Sequence, residues 1–152
     1  MQPMRVRRAT LDDLPWLLAE AKAFAASYAG RGPSLYPGDV HATQVLLGLM
    51  GAQYLALVEW EHGERLGFFA GVASPHWLNP EITVAQEVFW WVPEAARGTG
   101  AGRLLLEDFI AWGREVAQQI SVTVEAHATF VGPVLAARGF QQRESLWLLE
   151  VA

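Results

Sequence analysis

Residues 92–104 read Val-Pro-Glu-Ala-Ala-Arg-Gly-Thr-Gly-Ala-Gly-Arg-Leu, with three alternate glycines between two arginines. An apolar stretch enters this segment and a leucine-rich one leaves it, so it reads as a strand-to-helix turn. Glycine lets a backbone come close to a ligand. The first amides of a helix lack carbonyl partners and lie at the positive end of the helix dipole. Together these features bind phosphate or pyrophosphate, and Arg97 and Arg103 add positive charge. A nucleotide loop must end in Gly-Lys-Ser/Thr, but Gly102 is followed by Arg103-Leu104. A dinucleotide fingerprint starting at Gly98 needs glycine at position 103, which is arginine. Both nucleotide readings fail. The remaining choices are another phosphate ligand or a bare tight turn.

Ten residues before Arg97 stands Glu87, close to Phe89 and Trp91. A carboxylate against aromatic rings loses hydration and its pKa rises, which suits a base working near neutrality. The structural alternative is a Glu87 paired with an arginine or set at a solvated edge. His76 and His127 have the right intrinsic pKa to compete for the role. Glu125 is a weaker candidate, and His41 and His62 read as solvent-facing. The four histidines show no zinc spacing, and without cysteine there is no thiolate ligand, disulfide or cysteine nucleophile. No metal is expected.

Around these residues the pattern predicts the elements that position them. Residues 82–92 form a long strand with Val84, Val88, Trp90 and Val92 on one face and Ala85, Glu87, Phe89 and Trp91 on the other. Apolar residues on both faces imply a central strand covered on both sides. A helix follows over about 102–117, with Leu105, Phe109, Trp112 and Val116 as its buried stripe. Upstream, residues 4–9 form a first strand. Thr10 caps a helix starting at Leu11, with Leu14, Leu17, Leu18, Ala21 and Phe24 at helical spacing. Residues 29–38 form a loop and 41–50 a short helix. Strands 54–60 and 66–73 make a hairpin around Glu61-His62-Gly63-Glu64, and 74–80 a second loop. Downstream come a strand at 120–126, a helix at 130–137 with Gly139 as C-cap, and a final strand at 146–151. Trp77 reads either as a wall of the acceptor pocket or, by a small margin, as a plug at the core edge. The order β-α-α-β-β-β-α-β-α-β is that of an α/β sandwich with helices on both sheet faces, in one domain over 1–152.

With 152 residues, 52% hydrophobic and 18% charged, the chain can bury a core and is not disordered. A net charge of −5 argues against a nucleic-acid surface and suits a cationic or amine ligand. No apolar run reaches membrane-spanning length and no leader pattern is visible, so a cytoplasmic location without membrane partners is expected.

The segment Arg97-Gly98-Thr99-Gly100-Ala101-Gly102, with its flanks, resembles the acyl-CoA loop of GNAT acetyltransferases, Arg/Gln-x-x-Gly-x-Gly/Ala. Element order, hairpin and loop placement extend the likeness over most of the chain. The resemblance implies a mixed, mostly antiparallel sheet and an acetyl-CoA-dependent N-acetyltransferase. The amides of Arg97, Gly98, Thr99, Gly100, Ala101, Gly102 and Arg103 would hold the CoA pyrophosphate. The backbone of Trp90, Trp91 and Val92 would pair with the pantetheine arm. An amine of a small molecule or peptide would attack the thioester directly, with Glu87 removing its proton and a backbone N–H facing the oxyanion. Loops 28–40 and 74–81 would select the acceptor, and a homodimer is common in the family.

The second family signature departs from pattern. Leu135-Ala136-Ala137-Arg138-Gly139-Phe140 keeps the terminal Gly-Phe, but Leu135 takes the place of the tyrosine that often protonates the departing thiolate, and Ala128 that of an asparagine. Thiols titrate near ~8.5, so the thiolate can leave unaided. Water, Ser121, Tyr28 or Tyr36 could also serve. The alternative function is an acyl-CoA-binding or scaffolding protein without catalysis.

Overall fold

A computed structural model describes residues 3–28 and 35–151. The loop expected at 29–38 therefore lies partly outside the described residues. Strands β1 (Met4–Arg8), β2 (Tyr54–Trp60), β3 (Arg65–Pro75), β4 (Thr83–Trp91) and β5 (Gln119–Ser121) form one sheet in the order β1-β2-β3-β4-β5. The first four are antiparallel neighbours, and β5 runs parallel to β4. The mixed, mostly antiparallel sheet with helices on both faces is the expected architecture.

Tyr-Leu-Ala-Leu-Val at 54–58 is apolar throughout, as a strand buried on both faces must be. On one face, helix α3 (Ala101–Val116) packs Leu105, Leu106 and Phe109 against Tyr54, Ala56, Phe69 and Ala85. Each of these large side chains contributes roughly 1.5–3 kcal/mol by leaving water. The other face is covered by α1 (Leu14–Ser27) and α2 (Asp39–Ala52), whose Leu17, Leu46 and Leu49 meet Leu55, Leu57 and Phe68. Gly71 lets α3 come this close, since a Cβ there would strike the ring of Phe109.

Several expectations change. The helix expected from Leu11 opens with a single 3-10 turn over Leu11–Asp13 before α1 begins. The stripe of α3 is wider than expected: Leu106 and Ile110 are buried while Val116 is exposed, because the helix lies flat on a broad sheet. The strand expected over 120–126 shortens and shifts to β5, since only Gln119, Ile120 and Ser121 pair with β4. Helix α4 (Val131–Ala136) follows, and Gly139 closes it at φ +88° as expected. The final strand expected over 146–151 is not formed: these residues have no regular structure and face solvent. Trp77 does not plug the core. It is 87% exposed and stacks on His76.

Candidate active site

The site begins where β4 and β5 part. They pair at Val84–Gln119, Ala85–Ile120 and Gln86–Ser121, and no further. On the other side of β4, Ala70 of β3 faces Phe89 while Gly71 faces Glu87, which leaves Val88 as an extra residue. Such a bulge breaks the two-residue alternation and re-aims the side chains after it. The faces read from the sequence are corrected accordingly. Ala85 shares the α3 face with Trp90 and Val92, whereas Phe89 and Trp91 turn toward α1.

Glu87 sits at the last paired position before the bulge, beside the opening between the strands. Its carboxylate accepts a hydrogen bond from the Thr123 amide at 3.3 Å. No arginine or lysine among the described residues acts on it. Burial pushes its carboxyl up to about 7, and the Thr123 hydrogen bond opposes the rise only in part. The Tyr28 phenol nearby is raised above the ordinary phenol range, by lost solvent first and then by Glu125 and Glu87. The opening between β4 and β5 is thus lined by Glu87, Tyr28, Thr123 and Glu125.

The glycine turn lies at the other end of this stretch of β4. A 3-10 turn over Glu94–Ala96 leads into it, and α3 starts at Ala101. Gly98 and Gly100 have φ of +79° and +92°, which side-chain-bearing residues adopt only with strain. Among the described residues, the amides of Gly98, Thr99, Gly100, Gly102 and Arg103 find no protein acceptor. The Thr99 hydroxyl braces the turn, donating to Ala96 O at 2.7 Å and accepting from the Ala101 amide at 3.3 Å. Arg97 is exposed; its Nε donates to Val92 O at 3.0 Å and its guanidinium lies over the Trp91 ring. The Val92 carbonyl is therefore already engaged. Trp91 is fixed from the far side by Glu20, which accepts from its indole N–H at 2.7 Å. Trp90 packs on Phe69, beneath Gly102. Arg103 is exposed at the helix start.

The other sequence candidates lie apart from this stretch or at its rim. Nδ1 of His76 accepts the Leu78 amide in its own loop. His127 is an exposed side chain 3.0 Å from Glu125. His41 is exposed at the start of α2, and His62 in the hairpin turn contacts Glu64. Leu135, at the tyrosine position, is buried in the α3-side core and offers no proton. Of the proton sources considered, Tyr28 lies near Glu87, while the Tyr36 hydroxyl is bonded to Asp39. Sequence reasoning missed Thr123 and the bulge at Val88; the only advance signal was Gly71 opposite. Between α1 and α2 lies an apolar cleft of about 260 Å³, walled by Phe24, Tyr36, His41, Val45 and Phe89. No group of three or more metal-ligating side chains occurs among the described residues. No helix among them is long and apolar enough to cross a membrane.

The model of the acetyltransferase (GNAT) family matches residues 21–140, which include the whole parting of β4 and β5 and the glycine turn. The chain belongs to this family. No curated protein sequence matches the GNAT chain. Solved structures share its fold at low identity. A transcriptional regulator from Bacillus halodurans C-125 superposes with a TM-score of 0.75 at 17% identity, covering 98% of this chain and 100% of its own. The aminoglycoside acetyltransferase AAC(6')-Iy, in complex with a bisubstrate analogue of CoA and acetylneamine, gives 0.73 at 17%, covering 99% of both chains. The aminoglycoside acetyltransferase meta-AAC0020 from an uncultured soil metagenomic sample gives 0.71 at 14%, covering 98% and 95%. At these identities the likeness is one of fold. The family match makes the protein an acetyltransferase.

Proposed function

We propose that this GNAT protein is an acetyl-CoA-dependent N-acetyltransferase acting on a primary amine of a small molecule or peptide. It works as one unit over residues 1–152 and without a metal. The observation that carries the reading is Glu87, an unpaired carboxyl held near neutrality at the parting of β4 and β5.

The residues present fit acetyl-CoA. The turn offers amides without protein acceptors at the start of a sixteen-residue helix, flanked by Arg97 and Arg103, the arrangement that receives a pyrophosphate. From Glu87 onward β4 has no strand on its β5 side among the described residues, so its backbone is open to the amide groups of a pantetheine arm at Trp90 and Trp91. Bound there, acetyl-CoA supplies an activated acetyl carbonyl. Arg97 fixes Val92 and Trp91, holding the end of β4 still. Glu87 removes the proton of the acceptor ammonium. Ammonium groups titrate near ~10, so a base close to neutrality is needed to present a free amine. Glu87 and Glu125 together favour a cationic acceptor, in keeping with the two aminoglycoside enzymes that share the fold.

Calorimetric titration with acetyl-CoA tests the site. Wild type binds, and Gly100→Asp, which places a side chain and a negative charge at φ +92° in the turn, loses binding at least ~100-fold. Unchanged affinity in the variant overturns the site. The buried Leu135 favours one second reading, binding without catalysis. Turnover with an amine panel decides between the two.

A further inference from the structure

The cleft between α1 and α2 is walled by apolar side chains, with Phe24 on α1, Val45 and Leu46 on α2, and Phe89 on β4. Of its lining residues only Tyr36 and His41 carry polar side-chain groups, and the Tyr36 hydroxyl is already bonded to Asp39. Apolar walls with one or two polar groups are the usual make of a small-molecule site. The cleft holds about 260 Å³, whereas a cavity of about 150 Å³ accommodates benzene. Leu35 and Val45 are exposed, so the cleft opens to solvent. Residues 29–34, just before Leu35 in sequence, read Ala-Gly-Arg-Gly-Pro-Ser and carry no large apolar side chain to fill it.

The cleft runs on to the opening at Glu87. Phe24 is the joint. Its ring stands edge-on to Phe89 at 5.2 Å in the cleft and to Tyr28 at 5.1 Å, one turn along α1. Tyr28 in turn donates its hydroxyl to Glu125 and feels the charge of Glu87. Apolar walls and two carboxyls therefore lie on either side of one aromatic pair. A polyhydroxylated aminosugar set against these walls would leave its hydroxyls without partners, which is costly. An apolar group carries no such cost.

We infer that the cleft receives the apolar body of an amine whose cationic head lies at Glu87 and Glu125, so that the ligand class is a primary amine bearing one aromatic or branched apolar group. The inference rests on the amine reading above and narrows it. A short run of methylenes spans the Phe24–Tyr28 pair and joins the two ends. Taking one such apolar group out of water tightens binding on the order of 10- to 100-fold. The contact is remote from the reacting carbonyl, so it holds ground state and transition state alike and is read in affinity.

The test uses the full chain saturated with CoA and three probes: ethylamine, 4-phenylbutylamine and neamine. Titrations at ~0.15 M salt, where loose surface attraction is screened, are followed by amide chemical shifts, which give both affinity and place. 4-Phenylbutylamine should bind ~10- to ~100-fold more tightly than ethylamine and shift amides of α1 and α2 around Phe24 and Val45. Ala21→Leu, which fills the cleft from α1, should bring 4-phenylbutylamine down to the affinity of ethylamine and leave acetyl-CoA affinity as in wild type. Equal wild-type affinities for the two amines overturn the inference, as would follow if the chain itself closed the cleft. So does tighter binding of neamine than of 4-phenylbutylamine, or a phenyl preference that shifts no residue of the cleft. The wild-type shifts decide even if the variant fails to fold. Acetylated product is measured separately. If 4-phenylbutylamine binds in the cleft and is not acetylated, the N-acetyltransferase reading fails while the cleft assignment stands.

Discussion

At the β1–β2 end of the sheet two buried carboxylates are held by three arginines; at the β4–β5 end one carboxylate is held by none. Asp13 takes both terminal nitrogens of Arg7 at 2.7 and 2.8 Å and Nε of Arg65 at 2.8 Å. Glu59 takes Nε of Arg5 at 2.8 Å and a terminal nitrogen of Arg7 at 3.0 Å. Arg7 holds both carboxyls below the usual range, whereas burial alone lifts Glu87 to about 7. Glu59 and Glu87 both adjoin a bulge, Glu59 opposite the extra Leu66 and Glu87 beside the extra Val88. Local backbone irregularity therefore does not separate them; the countercharge does. A paired buried carboxylate ties β1, β2 and the start of the first helix together and has no proton to exchange near neutrality. An unpaired one costs stability and gains a usable pKa.

The largest effect comes from breaking the paired end. Asp13→Ala leaves Arg7 and Arg65 facing a buried gap, and uncompensated buried charge costs ~3–5 kcal/mol, measured by urea unfolding at pH 7. The sign with pH follows from the lowered carboxyls. Their stabilisation is present above the unfolded value near ~4 and is lost as pH falls below it. Wild type should therefore lose stability below about pH 4, and the variant should lose less. A cost under ~1 kcal/mol would place Asp13 among the ordinary surface pairs.

Next is the unpaired end. Glu87→Gln keeps shape and hydrogen-bonding capacity but cannot take a proton. Turnover should fall ~10²- to ~10³-fold, acetyl-CoA affinity should hold, and the rise in rate through about pH 7 should disappear. If that limb persists in the variant, another group is the base. The same substitution should also stabilise the fold. An unfolded glutamate ionises near ~4.3, while the folded one stays neutral up to about 7, so wild-type stability drains away as pH rises between those values. The variant should gain up to about 3 kcal/mol above pH 7 and little near pH 4. Equal gains at both pH values would mean that burial is not what perturbs Glu87.

The two ends were unequally legible in the sequence. The turn at 97–103 was readable because its glycines are local and their spacing carries the meaning. Glu87 was readable as a candidate acid from its place on an apolar strand, although the two aromatic residues that suggested its environment, Phe89 and Trp91, turn toward α1. Its face was misread, because the bulge at Val88 depends on Gly71 of β3 and on Phe109 of α3, neither nearby in sequence. The paired end escaped notice because Asp13 lies 52 residues from Arg65, and Glu59 54 and 52 residues from Arg5 and Arg7, partners that only strand pairing brings close. Trp77 and residues 146–151 carry core-like composition but are exposed, since apolar character does not say what will cover it.

The smallest effect falls on Arg5, and it tests whether the paired end is one network or two. Arg5 is 60% exposed, and its loss leaves Glu59 with the Arg7 contact at 3.0 Å. Exposed partners of this kind contribute ~0–1 kcal/mol, and added salt weakens them further. Arg5→Gln should lower urea stability by less than ~1 kcal/mol at low salt and by less again at ~1 M salt. If the cost approached that of Asp13→Ala, Arg7 could not serve both carboxylates alone, and Glu59 would depend on Arg5 to stay ionised. The contrast with Glu87 would then rest on how many arginines a buried carboxylate has, whereas a small cost leaves it resting on whether it has one at all.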